Sequence, residues 1–272
     1  MTAVVAPAKI NLALVVGPLR EDGKHEVATV LQRVDVADRV AVERSDRISV
    51  DGFPDDTLVR AALTALAERA GGRAAWRAEI EKHIPVAAGL GGGSSDAATA
   101  LRLANETLAR PLPEPELEEV ARDLGADVPF FLRPGPQLGT GDGSELEALD
   151  LPQDYVVVLV LPDGVQKEST AAVYRAFDAR DGSRGFPERR AELVATLSDV
   201  RTAEDLAGLP LNDLAWSPVA DRLRELGAFR ADVSGAGPAV YGLFADRSTA
   251  LTAQSELQHA GRTFVTTPAW YG

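Results

Sequence analysis

Pro85-Val86-Ala87-Ala88-Gly89-Leu90-Gly91-Gly92-Gly93-Ser94-Ser95-Asp96-Ala97-Ala98 sets four glycines between an alternating run and an Ala- and Leu-rich run. Glycine lets a backbone approach a ligand closely and adopt dihedrals closed to other residues. A helix that starts where such a loop ends turns its free N–H groups and its positive dipole end toward the same spot, which favours an anion. The stretch therefore reads as a phosphate cradle. No Lys follows the last glycine as in the Walker loop, and the glycine spacing is not the dinucleotide fingerprint. As a plain surface turn it would need only Ser94 as an N-cap, but a Leu between glycines directly after a strand is unusual in a flexible linker.

Upstream of the loop, residues 76–84 alternate apolar and polar and predict a half-buried strand. Residues 57–70 show apolar spacings of three and four, with Asp56 or Thr57 placed to cap them and Gly71-Gly72 to stop them, and predict a helix. Residues 4–16 read as a strand interrupted by Pro7 and ended by Gly17-Pro18, and residues 26–50 as a meander of short strands. Downstream, helices fit 94–108 and 114–124. The apolar run 155–161 predicts a strand buried on both faces. Helices then fit 169–179, 188–197, 218–226 and 248–259, with strands at 229–234, 239–244 and 262–267; the polar segment 178–187 reads as a mobile surface loop. This irregular order favours α+β over a doubly wound sheet. A boundary near Asp150 divides the chain into domains 1–150 and 151–272.

The chain has 272 residues, 45% hydrophobic and 25% charged, enough for a sizeable core. Its 28 Lys and Arg stand against 41 Asp and Glu, a net charge of −13, so a nucleic-acid partner, which needs a basic surface, is not expected. With no cysteine, disulfides, zinc–thiolate sites and cysteine nucleophiles are excluded. Three scattered histidines, His25, His83 and His259, do not suggest a histidine-built metal centre. The N-terminus lacks a basic stretch followed by an apolar core, and no apolar run reaches the ~18 residues of a spanning helix. The expectation is a cytoplasmic protein without a membrane partner.

Two charges occupy awkward places. Lys9 interrupts the first strand within Pro7-Ala8-Lys9-Ile10-Asn11-Leu12, and Asp127 lies in the turn Gly125-Ala126-Asp127-Val128-Pro129-Phe130-Phe131. Each is either a surface residue or half of a site; a buried charge needs a partner, and if the two meet they pair. The loop Ser234-Gly235-Ala236-Gly237-Pro238 taken alone is a hairpin turn, and His25 taken alone a solvated loop residue.

Taken together, these segments resemble the GHMP kinase superfamily in order and rough spacing, over nearly the whole chain. Further matches are Asp22-Gly23 with His25, Leu138-Gly139-Thr140-Gly141, Ser169-Thr170 with Tyr174, and Asn212-Asp213-Leu214. The resemblance implies a two-domain α+β fold, the first domain like domain 2 of ribosomal protein S5, with the active site in the cleft between the halves. It implies ATP-dependent phosphorylation of a hydroxyl on a small-molecule substrate, a cytidine-diphosphate-linked polyol, with Mg²⁺ as cofactor, by a monomer or weak homodimer. By the same resemblance, Pro85, Ala87, Ala88, Gly89, Leu90, Gly91, Gly92, Gly93, Ser94 and Ser95 would hold ATP, with Ser94 or Ser95 near Mg²⁺. Asp127 would be the general base and Lys9 would stabilise charge, while Asn11, His25, Asp127, Thr170, Tyr174 and Gly235 would contact the substrate. Lys24 stands where the family pattern has an aromatic residue beside the cytosine ring, which leaves a kinase for another small alcohol as the alternative. A non-catalytic RNA-binding module of the S5 type is a second alternative, opposed by the acidic balance.

Overall fold

Alternation along the first strand decides where the site forms. In the computed structural model, which describes residues 2–53, 56–165 and 169–269, β1 (Val4–Leu19) buries Ile10 and Leu12 in one core cluster and so turns Lys9 and Asn11 to the other face. β1 pairs antiparallel with nearly the whole of β2 (His25–Arg44) through three register irregularities. On the opposite edge of β2, β4 (Trp76–Glu81) takes residues 39–44 and β5 (Gln137–Thr140) takes residues 29–31. β3 (Ser49–Asp51) runs parallel to β4, and β6 (Glu145–Ala148) closes a hairpin with β5. Helices α1 (Leu58–Arg69), α2 (Gly92–Glu106) and α3 (Glu114–Leu124) share a core with this sheet, in which Leu63, Leu66, Trp76, Ile80 and Leu101 are buried.

The second sheet has the order β10-β7-β9-β8 and is antiparallel throughout: β7 (Val156–Pro162), β8 (Arg230–Val233), β9 (Val240–Phe244) and β10 (Gly261–Thr266). β7 is buried on both faces, as its unbroken apolar run predicts. Val158 and Val160 pack with α6 (Pro218–Glu225) and α7 (Arg247–Leu257), while Val157 and Leu159 join Ile10 and Leu12 of β1 in the core that links the two sheets. α4 (Thr170–Ala179) and α5 (Phe186–Asp199) complete the α-helices of the described residues. The mixed α+β class is as expected.

Three expectations are corrected. Residues 26–50 form one long strand plus a short one, not a meander: the polar residues Gln32, Arg33 and Asp38 are buried and hydrogen-bonded inside β2, so the strand runs on through them. Gly17-Pro18 does not end β1, and a Cβ on Gly17 would stand 2.9 Å from the Phe186 ring, so the glycine admits a packed aromatic. That same Phe186 anchors the segment 178–187, which is a compact turn between α4 and α5 rather than an open loop. The β5–β6 hairpin has no counterpart among the predicted strands. No helix of the described residues is long and apolar enough to cross a membrane.

Candidate active site

The glycine loop is stitched to both halves of the chain. Lys9 N–H donates to Leu90 C=O at 2.9 Å, Ser234 Oγ donates to Gly89 C=O at 2.9 Å, and Ala239 N–H donates to Ala88 C=O at 3.0 Å. Gly89 (φ +83°) and Gly91 (φ +70°) occupy left-handed backbone, Gly91 as the N-cap of α2. Ser95 N–H makes an early helical bond, to Gly91 C=O. The N–H groups before it have no intrahelical acceptor and form an anion-binding nest.

Facing this nest, Lys9 is 4% exposed; its Nζ donates to Asn11 Oδ1 at 2.7 Å and lies 3.5 Å from Asp127 Oδ2. Asn11 Nδ2 donates in turn to Thr29 Oγ1, and Thr29 Oγ1 to Ala13 C=O, both at 2.8 Å. This relay fixes Asn11 as an acceptor and so holds the ammonium. Asn212 supports the opposite wall by donating to Val233 C=O and Gly235 C=O, and Asp213 ties that wall to β1 through Val16 N–H. A Cβ on Gly235 would stand 3.7 Å from Lys9 Nζ.

Lys9, Asn11, Thr29, Asp127 and Gly235 line a cleft of about 540 Å³, together with residues 85–94, Thr170 and Tyr174. Of the sequence-selected residues, two lie outside its lining. Ser95 is fully buried behind the loop, its Oγ without a hydrogen-bond partner among the described residues, so Ser94 is the hydroxyl that faces the cleft. His25 lines an adjoining cavity of about 450 Å³ that shares Asp142, Thr170 and Tyr174 with the first. It is not a solvated loop residue: it is 8% exposed, stacks on Tyr174 at 4.7 Å and has Nε2 2.8 Å from Asp178 Oδ1. Burial first, and then the charge of Asp127, push the Tyr174 hydroxyl up to about 12. Lys24 Nζ donates to Asp142 Oδ2 at 2.5 Å. Desolvation opposes ionisation of Asp142, but the bonds from Lys24 and Ser144 outweigh it and hold the carboxyl below its usual value.

At the far end the cleft meets Phe53, Leu58 and Lys82, which belong to no motif in the sequence, and Asp56, which caps α1 by accepting from Val59 N–H. Lys82 is shared by the fully buried carboxyl groups of Asp38 and Asp96, the second at 2.7 Å. Each of the three is one charge among many along the sequence, and only the meeting of β2, α2 and the residue that follows β4 distinguishes them. Burial pulls the Lys82 ammonium down, but Asp96 and Asp38 outweigh it and hold it above its ordinary value. Burial pushes the Asp96 carboxyl up to about 8, against the pull of Lys82 and with the help of Asp38. Below that pH the folded protein keeps a proton that the unfolded chain gives up above about 4, so stability falls as pH rises between the two values. Asp96→Asn removes this contribution. The melting temperature of the parent should drop between pH 5 and 8.5 more steeply than that of the variant; parallel curves would count against a raised Asp96.

Among the described residues no group of three or more His, Asp or Glu is placed to hold a metal ion. The set facing the nest, one hydroxyl beside a phosphate cradle, suits a cation such as Mg²⁺ that keeps several waters and takes further oxygens from substrate phosphates.

Known proteins resemble the chain over nearly its whole length. The family described as GHMP kinases N terminal domain matches residues 57–135, and that described as GHMP kinases C terminal matches residues 208–263. The 4-diphosphocytidyl-2-C-methyl-D-erythritol kinase of Pelobacter propionicus is 41% identical over 270 residues, covering 93% of this chain and 92% of that protein. The enzyme of the same name from Caldicellulosiruptor bescii is 36% identical over 272 residues, covering 93% of each. A crystal structure of 4-(cytidine 5'-diphospho)-2C-methyl-D-erythritol kinase superposes with a TM-score of 0.77 at 32% identity over the full length of both chains. A mevalonate kinase structure also reaches 0.77, at 13% identity, which speaks for the fold alone.

Proposed function

The chain belongs to the 4-diphosphocytidyl-2-C-methyl-D-erythritol kinase family of the GHMP kinases, and from that premise we propose how its cleft divides the work. It is an ATP-dependent kinase of the non-mevalonate (MEP) route to isoprenoid precursors, transferring a phosphoryl group to the 2-hydroxyl of 4-diphosphocytidyl-2-C-methyl-D-erythritol. Phosphoryl transfer asks a protein mainly for positioning and charge neutralisation. The nest at the start of α2 holds the ATP phosphates. Asp127 takes the proton of the acceptor hydroxyl, and Lys9, steadied by Asn11 and Thr29, neutralises charge on the transferring group. Mg²⁺, when bound, neutralises phosphate charge; Ser94 is the hydroxyl placed to hold it. Thr170, Tyr174 and Gly235 border the acceptor, and the cytidine arm extends toward His25. We place the two domains at 1–150 and 151–272 and take the working unit to be a monomer or weak homodimer.

The observation that carries this reading is the buried Lys9 ammonium 3.5 Å from Asp127, directly beside the glycine loop. It is tested by ADP release from Mg-ATP with four acceptors: the cytidine-linked methylerythritol, the same alcohol phosphate without the nucleotide, homoserine and mevalonate. Turnover with the first alone is expected, with Lys24 compatible with cytidine binding. Equal turnover with the acceptor lacking the nucleotide would show that the cavity at His25 does not read the base.

A further inference from the structure

We propose that Arg33 is a positioning residue for Asp127, fixing the backbone that presents the carboxylate to Lys9 and the glycine loop. The proposal rests on the reading of Asp127 as the base. Arg33 lies directly across the β1–β2 ladder from Lys9 and is 2% exposed. Its guanidinium donates to three carbonyls of a single segment, Phe130 at 2.6 Å, Gly135 at 3.1 Å, and Arg133. Its Cζ lies 4.5 Å from the centroid of the Phe130 ring and 5.8 Å from that of Phe131. The hydrogen-bond partners are thus backbone carbonyls, and burial pulls the guanidinium down to about 10. A cation so deeply desolvated is costly unless its donors are used, and a planar fork of five N–H groups can bridge several carbonyls where a Lys cannot.

The segment it grips is the one that carries Asp127. Val128 N–H bonds Gly125 C=O, Phe131 N–H bonds Val128 C=O and Arg133 N–H bonds Phe130 C=O, so tight turns run in succession from Gly125 to Arg133. Fixing the far end of this run fixes the near end. The Asp127 side chain needs that support, because it is 40% exposed and its contact with Lys9 is long, at 3.5 Å. The same cluster reaches the glycine loop: a Cβ on Gly91 would stand 2.9 Å from Lys9 Cγ and 3.1 Å from Phe131 Cζ. Arg33 therefore aligns the carboxylate against both the ammonium and the phosphate nest, acting through the backbone it grips.

The test is a double-mutant cycle, with turnover followed by labelled ATP so that residual rates are readable. Arg33→Lys keeps the charge and loses the fork. Its kcat should fall about 30- to 100-fold, the scale of a misplacement near 1 Å, with the ATP dissociation constant within about threefold of the parent. In an Asp127→Asn background the same substitution should change kcat by less than about threefold, because there is no carboxylate left to misplace. A kcat within threefold of the parent, or an equal fractional loss in both backgrounds, overturns the proposal while leaving Asp127 as base intact. Near-normal turnover of Asp127→Asn alone would instead remove the base reading and, with it, this role for Arg33. If Arg33→Lys does not fold, Phe130→Leu removes the ring under the guanidinium and keeps its carbonyl acceptors. A loss of about tenfold that vanishes in the Asp127→Asn background is then expected, and one of equal size in both backgrounds overturns the proposal.

Discussion

Asp127→Asn is expected to fold and bind ATP as the parent does while turnover drops by roughly 10²- to 10⁴-fold, the usual contribution of a positioned general base. The substitution keeps the size and shape of the side chain. What it removes is an oxygen able to accept the proton of the acceptor hydroxyl. Stability should change little, because the Asp127 side chain is 40% exposed and a half-exposed ion pair contributes about 1 kcal/mol or less. The phosphate nest depends on the α2 backbone and on Lys9, Ser234 and Ala239 rather than on this carboxylate, so nucleotide affinity is the internal control. Steady-state kinetics with a nucleotide-binding titration decide the matter: turnover within about threefold of the parent would take Asp127 out of the mechanism.

Gly89→Ala should damage nucleotide binding and stability together. Two effects coincide at this position. The left-handed backbone at φ +83° costs an alanine roughly 1–2 kcal/mol, and the added methyl would run into the Ser234 carbonyl, with Gly237 O at 3.1 Å. Both neighbours are backbone on the far wall of the cleft, so relief means parting the glycine loop from that wall and breaking the Ser234–Gly89 bond. ATP affinity is expected to fall by about 10- to 100-fold and the melting temperature by several degrees. Gly93→Ala is the control for stability, because a Cβ there meets nothing within 4 Å and its backbone is not left-handed. It should melt at or slightly above the parent, because an Ala fits this helical position and narrows the unfolded ensemble. An unchanged ATP dissociation constant in Gly89→Ala would mean that contact between the two walls does not shape the phosphate site.

Local pattern carries far in this chain where each residue's surroundings follow from its neighbours in sequence. The helix 57–70, stopped by two glycines, the alternating strand, which ends at Glu81 rather than residue 84, the doubly buried run 155–161 and the glycine loop ahead of α2 are all set by spacing and by backbone freedom, which act within a few residues. The family resemblance drew on the same local segments and brought the kinase chemistry with it. Where burial of polar residues is arranged from a distance, pattern misleads. Gln32, Arg33 and Asp38 lie buried inside β2, where a polar residue is costly without partners. Their partners, Gln153, Phe130 and Ile84, come from far along the chain.

The amino-acid sequence by itself determined the helices and strands with clear period and the loop built for phosphate. It also set an acidic, cysteine-free composition that leaves anion capture to backbone N–H groups and a few placed cations. Only the tertiary structure decided which charges matter. Lys9 and Asp127, each equally readable as a surface residue, become a pair beside the loop because alternation in β1 turns Lys9 away from Ile10 and Leu12 and the 125–133 turns fold back over it. The loop 234–238, an ordinary hairpin turn in sequence, becomes the far wall because β7 and β9 pack their apolar faces on β1. Hydrophobic burial is non-directional and acts between segments hundreds of residues apart, so it, rather than any local signal, assembled the cleft.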